Sequence, residues 1–340
     1  MRAVLVVFVL LAVGPSVVRA PREPHDFLRT AGGMSEGDLE ALDGGRPVAR
    51  VIETGRREIA VVGAVRIRGP RSRMIARYRD VSNLRKSSLV LQLGVFGRPA
   101  RSEDLLPLEF EDYDLQAVRD CKPGTCGVRL SPAAMNRFHG SVTWESPDWA
   151  MQSAATWRQM LAELMETYQA RGDGSLFVYH NREAPVSVAG ELQALYLQSS
   201  YVTRMAPEPF RHVREFPRSP LAGAENVFYW SKDDFGLRPV LSLTHLVVYD
   251  PPAPAPALVA TKQIYATHYF DAALGLTLAI DDGSGGFYMV SINRARTRSL
   301  TSRFRGVVRS IVQGRSRDAL ERILGSVKQA VENGPSPERE

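Results

Sequence analysis

The sequence predicts an α+β fold: an antiparallel sheet built from both ends of the chain and packed by a long C-terminal helix, with a helical insertion in the middle. Three observations carry this. Strand patterns cluster before residue 97 and after residue 226, while helical patterns cluster at about 131–201. Residues 258–332 read as three antiparallel strands followed by a basic amphipathic helix. Long alternating β-α-β units, which a doubly wound parallel sheet requires, are missing.

In chain order, residues 1–20 read as a cleaved signal peptide: Arg2, the apolar run Ala3–Gly14, then Val18-Arg19-Ala20 with small residues at the cleavage point. The apolar run is short of the roughly 20 residues that span a bilayer. No later run is long enough either, so the expectation is an exported protein of the periplasm or extracellular space, with no transmembrane segment after cleavage. Residues 21–34, with Pro, Gly and charges, read as a flexible N-terminus, residues 35–332 as a single elaborated α+β domain, and residues 333–340 as a disordered tail. Ser35, with Asp38 three residues on, starts a short helix. Glu58–Arg68 is a strand by its alternation of Ile59, Val61, Val65 and Ile67. Gly69-Pro70 stops it, and Arg71–Asp80 fits a short helix. Leu89–Phe96 is another strand. Ser131-Pro132 and Ser146-Pro147 open helices, the second with Trp157, Leu161, Leu164 and Tyr168 on one side. Val188–Tyr201 reads as a helix and the proline-rich 205–222 as an extended connection. Asn226–Trp230 and Val240–Asp250 are strands. The last strands are Ala260–Phe270, Leu274–Asp281 and Gly286–Arg294, and the final helix runs from about Leu300 to Val331.

The formal charge of the chain is +6, but it is unevenly placed. Residues 294–317 hold eight Arg and no acid, against a nearly neutral body. A basic amphipathic helix suits an anionic membrane surface, so 294–317 is the candidate contact, with Arg303, Arg305 and Arg309 facing outward from the apolar stripe of Leu300, Phe304, Val307, Val308 and Ile311. The plainer alternative is a docked helix whose charged face meets water. Nucleic acid is not an expected partner, because the basic run lacks interleaved stacking aromatics. The two cysteines, Cys121 and Cys126, flank a Pro-Gly turn, and in an exported protein such a pair forms a disulfide.

The opening Ile59–Ile67, Pro70, Met74–Tyr78 and Asp80, together with antiparallel strands leading into a long C-terminal helix, resembles the START-like superfamily, also called helix-grip or polyketide cyclase and lipid transport. The whole chain also resembles a type of exported bacterial protein that carries a paired Cys turn and a strand like Tyr265–Phe270, a likeness that implies no activity. The START-like resemblance implies a cavity between sheet and C-terminal helix that holds an apolar or amphipathic ligand, and it transfers no catalytic residues.

Patterns for chemistry are sparse. A phosphate-cradling GxxxxGK[ST] and HExxH do not occur. Asp233-Asp234 and Asp281-Asp282 would point to opposite sides of a strand, and read as solvated turns. His245 and His268 lie on strands that could be neighbours, and their plainer reading is a pair of hydrogen-bonded strand residues. Tyr265, His268 and Arg294 would suit the few polar groups of an apolar ligand cavity. No catalytic residue, metal ligand or cofactor is expected. The functional expectation is an exported binding or transport protein for an apolar or lipid-like ligand. The alternatives are an envelope structural or interaction protein without a small ligand, or a cyclase- or hydrolase-type enzyme in the same cavity.

Overall fold

The computed structural model describes residues 24–82, 89–235, 238–298 and 305–334. The signal sequence expected at 1–20, the tail beyond 334 and Arg303 lie outside them, as do the side chains of Arg305, Val307, Val308 and Ile311. The stretch expected to be a flexible start instead forms helix α1 (Pro24–Gly32). Phe27 and Leu28 of α1 and the following Met34 are buried, and Phe27 packs on Tyr201 with ring centroids 5.5 Å apart. Burial of those three side chains offsets the ordering cost that the Pro and Gly content alone would leave unmet.

Helix α2 (Glu36–Asp43) starts on a reciprocal cap, the Asp38 N–H donating to Ser35 Oγ at 3.3 Å and the Ser35 N–H to Asp38 Oδ2 at 3.0 Å. Strands β1 (Val48–Ile52) and β2 (Glu58–Ile67), helix α3 (Arg71–Arg79) and strand β3 (Val90–Val95) follow. A longer helical run then comes before the sheet resumes: α4 (Asp112–Arg119), α5 (Pro132–Ser141), α6 (Trp149–Arg171), the two-residue strands β4 (Val178–Tyr179) and β5 (Val186–Ser187), α7 (Val188–Gln198), α8 (Ser200–Met205) and α9 (Pro207–Glu215). The insertion therefore reaches beyond the expected 131–201 at both ends. Pro207 and Pro209 sit in the first turn of α9, where a backbone N–H has no helical partner to lose. A proline-rich segment is thus helical where an extended one was expected.

Strands β6 (Ala224–Asp233), β7 (Val240–Tyr249), β8 (Ala257–Ala266), β9 (Ala272–Asp281) and β10 (Phe287–Arg296) lead to the final helix α10 (Arg305–Glu332). The main sheet has eight strands in the order β1-β2-β10-β9-β8-β7-β6-β3, and every ladder in it is antiparallel. Strand β2, from the first part of the chain, lies beside β10, the last, which is the α+β arrangement expected from the sequence.

The sheet separates two apolar cores. On one side Val62, Ile292, Leu276, Ile264 and Leu243 pack under the helical insertion, with Trp157 and Leu161 of α6. On the other, Val61, Val65, Met289 and Leu246 meet α3 and α10 through Met74, Leu320 and Leu324. Strand β8 carries a register shift: Leu243 pairs with Tyr265 but Thr244 with Gln263. Ile264 is the extra residue, so Lys262, Ile264 and Tyr265 all serve the insertion side. Strict alternation, which separates Lys262 and Ile264 from Tyr265, fails at this bulge. The strand also ends at Ala266. Residues 267–271 form the connection to β9, with Tyr269 in the left-handed region at φ 57°.

Candidate functional site

The open side of the sheet under α10 is set by where that helix sits. Gly63 in β2 has no Cβ, and one built there would lie 2.7 Å from Leu324 Cδ1 and 2.9 Å from Leu320 Cδ2. The helix therefore comes close over β2. It is fastened at both ends. Arg309 donates to the Gly55, Thr54 and Glu58 carbonyls and to Thr54 Oγ1, all at 2.9–3.1 Å. At the far end Lys328 Nζ donates to the Arg66 carbonyl at 3.0 Å, and Arg73 donates to the Val331 carbonyl at 2.8 Å.

With α10 held over β2, a groove of about 400 Å³ opens across β10, β9, β8, β7 and β6. Ser316, Ala319, Leu320 and Ile323 of α10 form its wall. Two cross-strand rows form its floor. In one, Tyr229 pairs with Thr244, Thr244 with Gln263, Gln263 with Ala273, Ala273 with Ala295, and Ala295 with Ile59. In the other, Thr261 pairs with Gly275, Gly275 with Asn293, and Asn293 with Val61. Both rows run from polar side chains on the β6–β8 side to apolar ones at β2. Gly275 leaves the floor clear: a Cβ there would lie 2.5 Å from Thr261 Oγ1 and 2.8 Å from Asn293 Oδ1. The Gln263 amide donates to Ser242 Oγ at 3.0 Å, while its Oε1 is buried without a hydrogen-bond partner. Burial pushes the Tyr229 phenol up to about 12, with Thr244 opposing through a hydrogen bond.

The residues proposed from sequence are not brought together by any described contact. Tyr265 is fully buried on the insertion side, edge-on to Phe177 and Tyr179, and burial holds its phenol well above the ordinary range. His268 sits in the β8–β9 connection and its Nε2–H donates to the Asp114 carboxylate of α4 at 2.8 Å. Arg294 turns to the insertion side, where its guanidinium meets the Glu58 carboxylate at 2.5 Å with both groups buried. His245 is also on the insertion side, accepting from the Tyr168 hydroxyl at 2.7 Å and donating to Asn226 Oδ1 at 2.8 Å. Burial pushes its imidazole well below the ordinary range, as does nearby Lys262. The two histidines thus have separate partners, and neither lines the groove. Cys121 and Cys126 form a disulfide, and the turn they close is held to the next segment by Gly124 N–H donating to the His180 carbonyl at 2.7 Å.

Among the described residues, most arginines of the basic stretch are turned inward. Arg294 and Arg296 both pair with Glu58, Arg296 also with Glu191, and Arg298 lies 3.9 Å from buried Asp271. Arg309, expected to face a membrane or an anion, instead anchors the helix to the β1–β2 loop through its carbonyls. Arg315 and Arg317 are the exposed arginines of 294–317 among the described residues, and Arg317 pairs with Asp318.

The floor residues Thr244, Thr261, Gln263, Gly275 and Asn293 were not singled out by sequence reasoning. Their signal was a polar or small residue at every second position of strands otherwise rich in Leu, Val and Ile. Among the described residues, no group of three or more His, Cys, Asp or Glu side chains is placed to hold a metal ion. No helix among them is long and apolar enough to cross a membrane. No protein-family model matches the chain, and no curated protein matches it.

Proposed function

We propose that this chain is an exported binding or carrier protein that holds an amphipathic, largely apolar ligand in the groove between the sheet and α10. The observation that carries the proposal is the groove itself. Its volume of about 400 Å³ falls in the range of small-molecule sites, roughly 300–1,000 Å³. Its apolar half is built from Ile59, Val61, Leu320 and Ile323, and its few polar groups converge from β6, β7, β8 and β10. The START-like resemblance implies a ligand in this same place. The Cys121–Cys126 disulfide suits the periplasm or extracellular space. Binding is favoured over acid–base catalysis because His245 and His268 are committed to partners on the opposite side of the sheet.

Replacing Ala319 with Trp puts an indole into the groove from the helix wall. Binding of Nile red, an uncharged apolar dye, is expected to weaken at least tenfold in A319W while the melting temperature stays near that of the parent. Equal dye binding by the two proteins, or none by either, would sink the proposal.

A further inference from the structure

The two halves of the groove ask for different chemistry, and that difference narrows the ligand. On the β6–β8 side the floor is lined by Tyr229 and Thr244, buried and hydrogen-bonded to each other, by Gln263 and by the Thr261 hydroxyl, with Asn293 across the gap left by Gly275. All are uncharged at neutral pH. Adjacent strands lie about 4.8 Å apart, so Tyr229, Thr244 and Gln263 span on the order of 10 Å, while Thr261 Oγ1 and Asn293 Oδ1 lean together over Gly275, 2.5 and 2.8 Å from where its Cβ would be. Arg294 runs in a strand of the floor, but its guanidinium is bonded to Glu58 on the opposite side of the sheet. Among the described lining residues no cation is turned into the groove, so a carboxylate or phosphate head would lose hydration there uncompensated by any of them. A wholly apolar ligand would take the Thr261 hydroxyl and the Asn293 amide out of water, a cost of about 1–3 kcal/mol per group left unsatisfied. The buried Gln263 Oε1 already lacks a donor. Hydroxyl groups both donate and accept, so a row of them can satisfy Thr, Tyr, Gln and Asn side chains together.

Resting on the binding reading above, we infer that the groove takes an amphiphile with an uncharged polyhydroxylated head. The head lies over β6–β8 and Gly275, and the apolar part runs along Ile59, Val61 and the α10 wall. The chemistry is that of a sugar, which a glycolipid or a free saccharide could supply.

The test uses the mature full-length chain and calorimetric titration with three probes below their micellar concentrations: octyl glucoside, octanoate and free glucose. Each is titrated into the parent, into T261V/N293A and into A319W, with melting curves to confirm folding. T261V keeps the shape of the side chain and N293A alters an exposed one, so both should fold. Octyl glucoside is expected to bind at least tenfold more tightly than octanoate, and T261V/N293A is expected to erase most of that preference. Binding of octyl glucoside alone assigns the head to a glycolipid, while comparable binding of glucose assigns it to a free saccharide. Octanoate binding as tightly as octyl glucoside, with T261V/N293A unchanged, overturns the inference but leaves the binding reading intact. No binding of any probe to the parent, together with an unchanged Nile red signal in A319W, overturns both. A preference for the glucoside that survives T261V/N293A overturns the assignment of these residues to the head.

Discussion

At the scale of single residues, the most informative group is one that sequence alone misplaces. Asp233 and Asp234 read as a solvated turn, but Asp233 closes β6 and is mostly withdrawn from water, accepting from Ser231 Oγ at 2.7 Å. Burial pushes its carboxyl up to about 6, with the Ser231 hydrogen bond opposing. The folded carboxyl therefore binds its proton more tightly than the unfolded one. Its contribution is intact below the unfolded carboxylate range and is lost as pH rises from about 4 to about 6. Asp233→Asn removes a penalty on the order of 2 kcal/mol above that window and nothing below it. Melting curves should show D233N a few degrees more stable than the parent at pH 7.5 and equal to it at pH 4. A constant offset at both pH values would contradict the assignment. Asp282 does lie in the β9–β10 turn, accepting from the Ser284 and Gly286 N–H groups at 2.8 and 3.0 Å, but its carboxylate is withdrawn from water and paired with Arg66 rather than solvated. The neighbouring strand ends explain the difference: a dipeptide of two acids reads the same whether its first member lies in a strand or in a turn.

At the scale of elements, α10 was legible as a helix from its apolar spacing, but its seat was not. That seat depends on Gly63, an isolated glycine within a strand, which as sequence signals only a close approach by something unnamed. Gly63→Ala forces Leu320 and Leu324 off their present positions, and overpacking of this kind costs about 1–3 kcal/mol. Urea titration should show a lower midpoint for G63A with an unchanged slope. An unchanged midpoint would mean that the helix does not rest on β2 as described. Strand β8 teaches a related lesson. Its residues were placed by strict alternation, yet one bulge at Ile264 carries Tyr265 to the insertion side along with Lys262. Period-two reading is reliable only up to the first extra residue, and nothing in the run of residues from Thr261 to Ala266 announces it.

At the scale of the whole molecule, the sheet drawn from both ends was readable because most strands carried their own alternation and most of the turns between them a Gly or Pro, the β8–β9 connection at 267–271 having neither. The groove was not, because it arises from the register of five consecutive strands and from the seat of α10 on β2, and the residues lining it are chemically ordinary. The disulfide lies between these cases: its pairing followed from there being two cysteines, while its attachment to residues 180 and 181 needed the fold. Cys121→Ser with Cys126→Ser opens a loop of six residues, for which the chain-entropy relation gives about 2 kcal/mol. The double variant should keep its fold and show faster proteolysis near 121–126. Global unfolding at room temperature would show a larger role for the bond. The fastening of α10 has a kinetic corollary. A wall pinned by Arg309 at one end and by Lys328 and Arg73 at the other has no hinge within the groove. A ligand of the kind proposed would then come and go along the uncovered strands, without waiting for a door. Arrival should be set by diffusion and orientation, near the ordinary 10⁵–10⁷ M⁻¹s⁻¹, and residence by the grip of the floor alone.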